Sequence, residues 1–461
     1  MALDNPSELV PFSGFSSLEM PGILGDIGRS TSERPRSSRS FHALFEQPAG
    51  VMFLDIETTG LSKYYDYITL VGYQLDGEYH VLLAGEDPAH FLRALSRASS
   101  LVTFNGSCFD LPFLEATYRG FQWPKHHVDL RYACRRAGLT GGQKAIEEEL
   151  GITCRQGLEG VDGAMAVVLW HRYLRGDVAA LRQLIEYNRA DVRAMAFILD
   201  DLVTRPSQRD LLSRIAQPYR FHEGEDARRG LADADAVLPP PPSHLRSAVS
   251  FQGLFGGTGA ENATVVGLDL TGSAARPSGF CVMAGNHANT ETLAEDDEII
   301  SRVLDADPNL VSIDSPLCLP RGRTRVTDDD PMRHLGIMRQ CERTLKRRGI
   351  NVYPCLIPSM QRLTERGIRL ASILRSHGLS VIECYPGAAQ DIMGIPRKGA
   401  GKEWLTLGMK EFGVTGPFTT HNLTHDELDA ITCSLVGFFH LAGKTEALDG
   451  EDEEPMMVPV L

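Results

Sequence analysis

Twice along this chain of 461 residues, an apolar run carrying an acid is followed by two more strand-like runs, a helix and a further strand. In the first block these are VMFLDIE, YITLVGYQL, YHVLLAG, a helix over 88–97 and LVTFN, after which helices dominate to Leu202. In the second they are VVGLDLT, SGFCVMAG, a third strand before Glu295, a helix, LVSIDSPL and then SVIECYP, closed by a helix over 425–441. Short β-branched runs bounded by turn residues read as strands, and the 3.6-residue apolar period reads as helix. Each block therefore predicts an α/β domain built on a mixed sheet flanked by helices, with four strands legible in the first block and five in the second against the five-stranded sheet expected of each. The blocks share no residue-level repeat, so their likeness is one of topology.

Around these blocks the composition shifts. Residues 1–47 include the Ser/Arg-rich RSTSERPRSSRS, which lacks apolar periodicity, and read as a disordered tail in which the apolar patch FHALF (Phe41–Phe45) is a candidate to dock on the first domain. Residues 204–263 carry Pro239–Pro242 and GLFGGTG and read as a linker with one short helix near Gln208, while 443–461 reads as an acidic tail. The expected domains are thus 48–203 and 264–442. No run approaches the ~18 apolar residues of a membrane span. The nine cysteines include no CxxC pair, which argues against a disulfide framework or a thiolate zinc site and fits a reducing cytoplasm. A net charge of −14 disfavours non-specific wrapping of duplex DNA. It is compatible with carboxylate-held metals that reach phosphates locally.

Asp55 and Glu57 lie two apart on the first strand, so both project from one face. Like charges that close are costly to bury, and a divalent cation is the simplest compensation. Asp110 opens a helix after FNGSCF, and Tyr187 and Asp191 stand one turn apart on the helix LRQLIEYNRADVRAMAFIL. With DIETTG, NGSCFDLPFL and YNRAD in this order, the segment resembles the DEDD superfamily of 3′→5′ exonucleases in its YxxxD form. LSKYYDYITLVG, HVDLRYACRRAG and GGQKAIEEELGI, with Arg155 and Gly160 beyond, resemble more narrowly the YprB-type family, which commonly has His at the position of Tyr187. The resemblance implies an RNase H-like fold over roughly 51–202 and two-metal phosphodiester hydrolysis. Asp55, Glu57, Asp110 and Asp191 would hold two Mg²⁺ or Mn²⁺ ions ~4 Å apart. Tyr187 would orient the attacking water, with Thr58 and Asn105 near the terminal nucleotide. The implied substrate is a single-stranded or frayed 3′ end. The plain alternative is a set of ordinary surface acids, against which stands their ordered placement on the expected elements.

The second block carries its own acids. Asp269 and Asp314 sit on strands, Glu383 on a third strand, and Asp426 and Asp429 three apart on the closing helix. GLDLTG, SIDSPLCLP, RQCERTLKRRGI, IPSMQRLTERGIRL, VIECYPGAAQDIMGIPRK and HDELDA resemble a family of uncharacterised RNase H-like proteins regarded as nucleases. This implies a second nuclease site, with Asp269, Asp314, Glu383 and Asp429 on metal and Asp426 beside them. Two rival readings remain. One is an actin- or sugar-kinase-like ATPase, which would need a glycine-rich adenosine loop that HDELDAITCSLVG does not supply. The other is a nucleic-acid-binding or scaffold protein that keeps its acids for local hydrogen bonds. Between Arg321 and Arg348 nine basic residues face four acids. Arg325, Arg343, Lys346 and Arg347 are the candidate phosphate contacts there, against the alternative of a merely solvated helix face.

Overall fold

The computed structural model describes residues 33–155, 163–215, 219–223, 227–241, 250–273, 276–397 and 401–461. It divides into two compact units. The first falls within Leu18–Lys63 and Tyr67–Arg246, the second within Tyr64–Asp66 and Ser247–Leu461. Among the described residues no helix is long and apolar enough to cross a membrane.

The first unit is a six-stranded mixed sheet. Its strands are β1 (Val51–Thr58), β2 (Ile68–Leu75), β3 (Glu78–Leu83), β4 (Ser100–Thr103), β5 (His126–Asp129) and a two-residue β6 (Ala227–Arg228), in the order β5-β4-β1-β2-β3-β6. β1–β2 and β2–β3 pair antiparallel, β4 and β5 continue parallel to β1, and β6 is parallel to β3. β1 is central and almost wholly buried, as its unbroken apolar run requires. One face buries Met52, Leu54, Ile56, Leu101 and Leu111 in a common core. The helix Val178–Thr204 packs on the sheet; the Asp177 side chain caps its start, and it ends where Pro206 forces Arg205 into extended backbone.

The second unit has seven strands: β7 (Thr264–Asp269), β8 (Ser278–Ala284), β9 (His287–Leu293), β10 (Leu310–Asp314), β11 (Val381–Cys384), β12 (Thr445–Gly450) and β13 (Glu453–Pro459). Their order is β12-β13-β11-β10-β7-β8-β9. Apart from the added strands, both sheets have one plan: three antiparallel strands, then two parallel ones beside the first. The helix His425–Leu441 starts from a Thr424–Glu427 capping box and lies across β7 and β8. Gly267 permits that approach, since a Cβ there would stand 2.1 Å from the Ala430 carbonyl oxygen.

Three expectations about the ends and the join are corrected. The supposed acidic tail is the hairpin β12–β13. Its acids cluster at the turn, but Met456, Met457 and Val458 are buried where β13 pairs in parallel with β11, which gives the second sheet seven strands, while the short β6 gives the first six. The supposed linker is shared between the units. Phe221 packs on Phe53, and β6 pairs with β3, while Phe251, Leu254 and Phe255 join the core under the closing helix. Of the supposed N-terminal tail, residues 1–32 lie outside the described residues, and Phe41 and Leu44 are buried.

Candidate metal centre

Strand alternation alone turns Asp55 and Glu57 to one face of β1, and the long helix brings Asp191 over that face. One oxygen from each of the three carboxylates falls within 4.8 Å of the others. Among the described residues this is the only such gathering of three or more His, Cys, Asp or Glu. Asp110 is buried at the start of its helix beside the trio, where it accepts the Ile56 backbone N–H at 3.2 Å. Asp129 carries the loop before it, accepting N–H groups from Asn105 (2.8 Å) and Ser107 (3.0 Å).

Crowded like charges must be compensated, and the protein supplies dipoles and two cations, Arg155 and Lys144. Asn188 Nδ2 donates to Asp55 at 2.8 Å and to Glu57 at 3.3 Å, and its Oδ1 accepts from the buried Tyr79 hydroxyl at 2.9 Å. Arg155 Nη2 donates to Asp191 and to Glu147, which also accepts the Arg155 Nε–H at 2.7 Å. Gln143 donates to the Asp191 carbonyl at 2.8 Å. Tyr187 is buried one turn before Asp191, with the Lys144 ammonium 5.1 Å and the Arg155 guanidinium 5.5 Å from its ring centroid.

The balance still favours protons. Burial first, and then the neighbouring carboxylates, hold Asp55 and Glu57 well above the usual carboxylate range. Burial also raises Asp191 despite Arg155, and it lifts Asp110 to about 7. Tyr187 moves upward for the same reason, so its hydroxyl keeps its proton. The four carboxylates of this site thus bind more protons in the folded than in the unfolded chain from about pH 4, where free carboxylates titrate, up through 7, whereas His127 and His171, which burial pulls down to about 4, release protons on folding over the lower part of that range. Stability contributed by the carboxylate protons is complete at the acid end and is lost as the pH rises. In EDTA, the contribution of this site to the Tm is expected to fall between pH 5 and pH 7.5, so Asp110→Asn should raise the Tm more at pH 7.5 than at pH 5. Mn²⁺ should offset the fall, because cation binding needs the ionised carboxylates. An effect of Asp110→Asn on the metal-free Tm that is the same at both pH values would contradict the arrangement.

Asn188 and Glu147 are not among the site residues expected from the sequence, and Arg155 enters there only through the family resemblance, with no role assigned. Asn188 did leave a signal: a polar side chain on an otherwise apolar helix stripe with Leu181, Leu184 and Ile185. Its reach depends on Gly72, the β2 partner of Asp55, because a Cβ at Gly72 would lie 1.6 Å from Asn188 Oδ1. Gly72→Ala is therefore expected to displace Asn188 and cost about 1–3 kcal/mol, read as a lower urea midpoint. Gly72→Ala paired with Asn188→Ala should recover part of that loss. Thr58 turns its hydroxyl to the Gly60 carbonyl, and Asn105, at φ 66°, accepts from Arg131 at 2.7 Å. Both therefore shape loops flanking the acids. Gly160 lies outside the described residues.

The second acid set comes together only in part. Register pairs Asp269 with Asp314 and Asp314 with Cys384 at the ends of β7, β10 and β11. Glu383 is in register with Ile313 and Leu268 instead, so it points to the opposite face. There it forms a buried two-pronged pair with Arg339, both bonds 2.6 Å, and accepts the Leu317 N–H at 2.8 Å. The expectation that Glu383 joins the other acids on a metal is corrected: one residue of strand offset separates them. Asp429 accepts from Gln390 at 2.8 Å, whereas Asp426 is drawn to Arg276 at 3.0 Å, so the two helix acids diverge.

The basic run is also largely neutralised. Arg323 is buried against Asp330, Arg339 against Glu383 and Glu342, and Arg325 pairs with Asp329 at 3.2 Å. Arg343, Lys346 and Arg347 stay exposed along the helix Gln340–Arg347.

A family model described as the RNase_H superfamily matches residues 52–203. That match coincides with the six-stranded unit's core and its carboxylates, so this segment is an RNase H-like domain. No curated protein matches the chain. Among solved structures, one titled "apo form of the nuclease" is similar at 19% identity, covering 36% of this chain and 79% of its own, with a TM-score of 0.27.

Proposed function

We propose that the 52–203 domain is a divalent-metal-dependent nuclease acting as a 3′→5′ exonuclease on single-stranded or frayed nucleic-acid ends. The observation that carries this reading is the convergence of Asp55, Glu57 and Asp191 on a sheet of RNase H type. The donor set fits the expected ions, since carboxylate oxygens without thiolate or imidazole suit Mg²⁺ or Mn²⁺. When bound, such ions activate water and stabilise the leaving oxygen of a phosphodiester. Asp55, Glu57 and Asp191 would hold them, with Asp110 completing the set. Asn188 keeps the two β1 carboxylates parallel, and Tyr187, protonated across the working pH range, would orient the attacking water through its hydroxyl.

The test is incubation of 5′-labelled single-stranded DNA and RNA with the full chain and Mn²⁺. A ladder shortening from the 3′ end supports the exonuclease, internal fragments point to endonucleolytic cleavage, and no metal-dependent degradation removes the reading. For the second domain, the separation of Glu383 from Asp269 and Asp314 favours a nucleic-acid-holding role over a second nuclease site. Arg343, Lys346 and Arg347 would contact phosphates. Lys346→Glu with Arg347→Glu is expected to weaken single-strand binding and to flatten its salt dependence, as measured by fluorescence anisotropy from 50 to 200 mM NaCl. Unchanged binding would assign these residues to a solvated face.

A further inference from the structure

Each of the three gathered carboxylates must offer an oxygen inward while its remaining lone pairs are satisfied elsewhere. For Asp55 and Glu57 the satisfying group is Asn188. For Asp191 it is Arg155, which lies 36 residues earlier and is itself gripped by Glu147 through Nε and Nη2 at 2.7 and 2.9 Å. Glu147 is buried and also receives Gln143 Nε2 at 3.0 Å, and that same amide nitrogen reaches the Asp191 carbonyl. Arg155 Nη1 is buried without a hydrogen-bond partner. The guanidinium is therefore placed by its Nε/Nη2 edge, which spans the two acids.

We propose that Arg155, braced by Glu147, is a positioning residue that fixes the Asp191 carboxylate for cation binding. The inference rests on the nuclease reading of the same site and assigns a role to residues that the acid motifs do not include. Two effects oppose one another. A positive charge beside a metal site repels the metal, whereas a fixed carboxylate binds it better. Glu147 and Arg155 together carry no net charge, so the repulsion is small and positioning dominates. Partners behind metal ligands typically govern about 10–100-fold in metal affinity or activity.

The experiment titrates Mn²⁺ into the full chain by calorimetry and by Tm shift, without nucleic acid, for the unmutated protein, R155M, R155K and the charge-balanced double variant E147Q/R155M. R155M and the double variant are expected to bind Mn²⁺ about 10-fold or more weakly, and R155K to recover part of the loss. In parallel, degradation of labelled single-stranded DNA should need correspondingly more Mn²⁺ for half-maximal rate. Its rate at saturating Mn²⁺ should fall less. Tighter Mn²⁺ binding by R155M would show Arg155 to be a competing cation and would overturn the proposal. So would unchanged binding in the double variant. If R155M fails to fold, R155K and the double variant decide. Mn²⁺ binding that follows this pattern without any nucleic-acid degradation would sustain the positioning role while removing the nuclease reading.

Discussion

Asp55→Asn is expected to abolish metal-dependent degradation of nucleic acid and, in the same protein, to raise the melting temperature measured in EDTA. The two effects have one cause. Asp55 is pushed up by burial and by Glu57, Asp191 and Asp110, so its negative charge is unfavourable in the metal-free fold. An amide of the same shape removes that charge and keeps an oxygen able to accept from Asn188, which stands 2.8 Å from Asp55. Each pKa unit of upward shift corresponds to about 1.4 kcal/mol at neutral pH. A gain of that order raises the Tm of a domain this size by roughly 2–4 °C per kcal/mol. Catalysis moves the opposite way, because the site loses a cation ligand, and a rate loss on the order of 10³-fold is expected. Mn²⁺, which should stabilise the unmutated protein by mass action, should stabilise the variant far less. A protein that loses activity together with stability in EDTA would indicate that Asp55 is an ordinary structural acid.

How far this site was legible in the sequence follows from what each residue signals locally. Asp55 and Glu57 announce themselves because two acids break a buried apolar strand on one face. Asp191 does so because it follows Tyr187 by one helical turn. The brace behind them is quieter: Glu147 in GGQKAIEEELGI and Arg155 just beyond it help to carry the family resemblance, but nothing in their spacing says what they touch. Only the fold brings them to Asp191. The strand order was readable because both blocks run meander, helix, strand. The β12–β13 hairpin was not, since six acids in Asp449–Glu454 and its flanks outweigh in composition the buried residues Leu448, Met456, Met457 and Val458. Glu383 misled for a subtler reason. Its strand was correctly read, but one residue of register decides which face an acid occupies, and only pairing partners fix that.

The register of Glu383 leads to the second large effect. Arg339→Met is expected to destabilise the second unit by about 3–5 kcal/mol, because it strands a fully buried carboxylate that now receives two guanidinium bonds. Glu383→Gln should cost less. Arg339 would keep its pairing with Glu342 at 2.9 Å, and the amide oxygen could still accept from Leu317. Replacing both partners by apolar residues, Arg339→Met with Glu383→Leu, should recover part of the single-variant loss, since Glu383 no longer remains as an unpaired charge while buried Glu342 still loses the Arg339 Nε–H. Urea unfolding of the three variants measures this directly, with the coupling expected to exceed 1 kcal/mol. In the same samples, Mn²⁺-dependent degradation by the first domain should be unaffected wherever the protein is folded. Were Glu383 instead a metal ligand, Glu383→Gln would leave or raise the metal-free stability and remove a Mn²⁺-induced Tm shift, as expected for Asp55→Asn. The two acids thus predict opposite signs in one assay: relief of repulsion at Asp55, and loss of a pairing partner at Glu383.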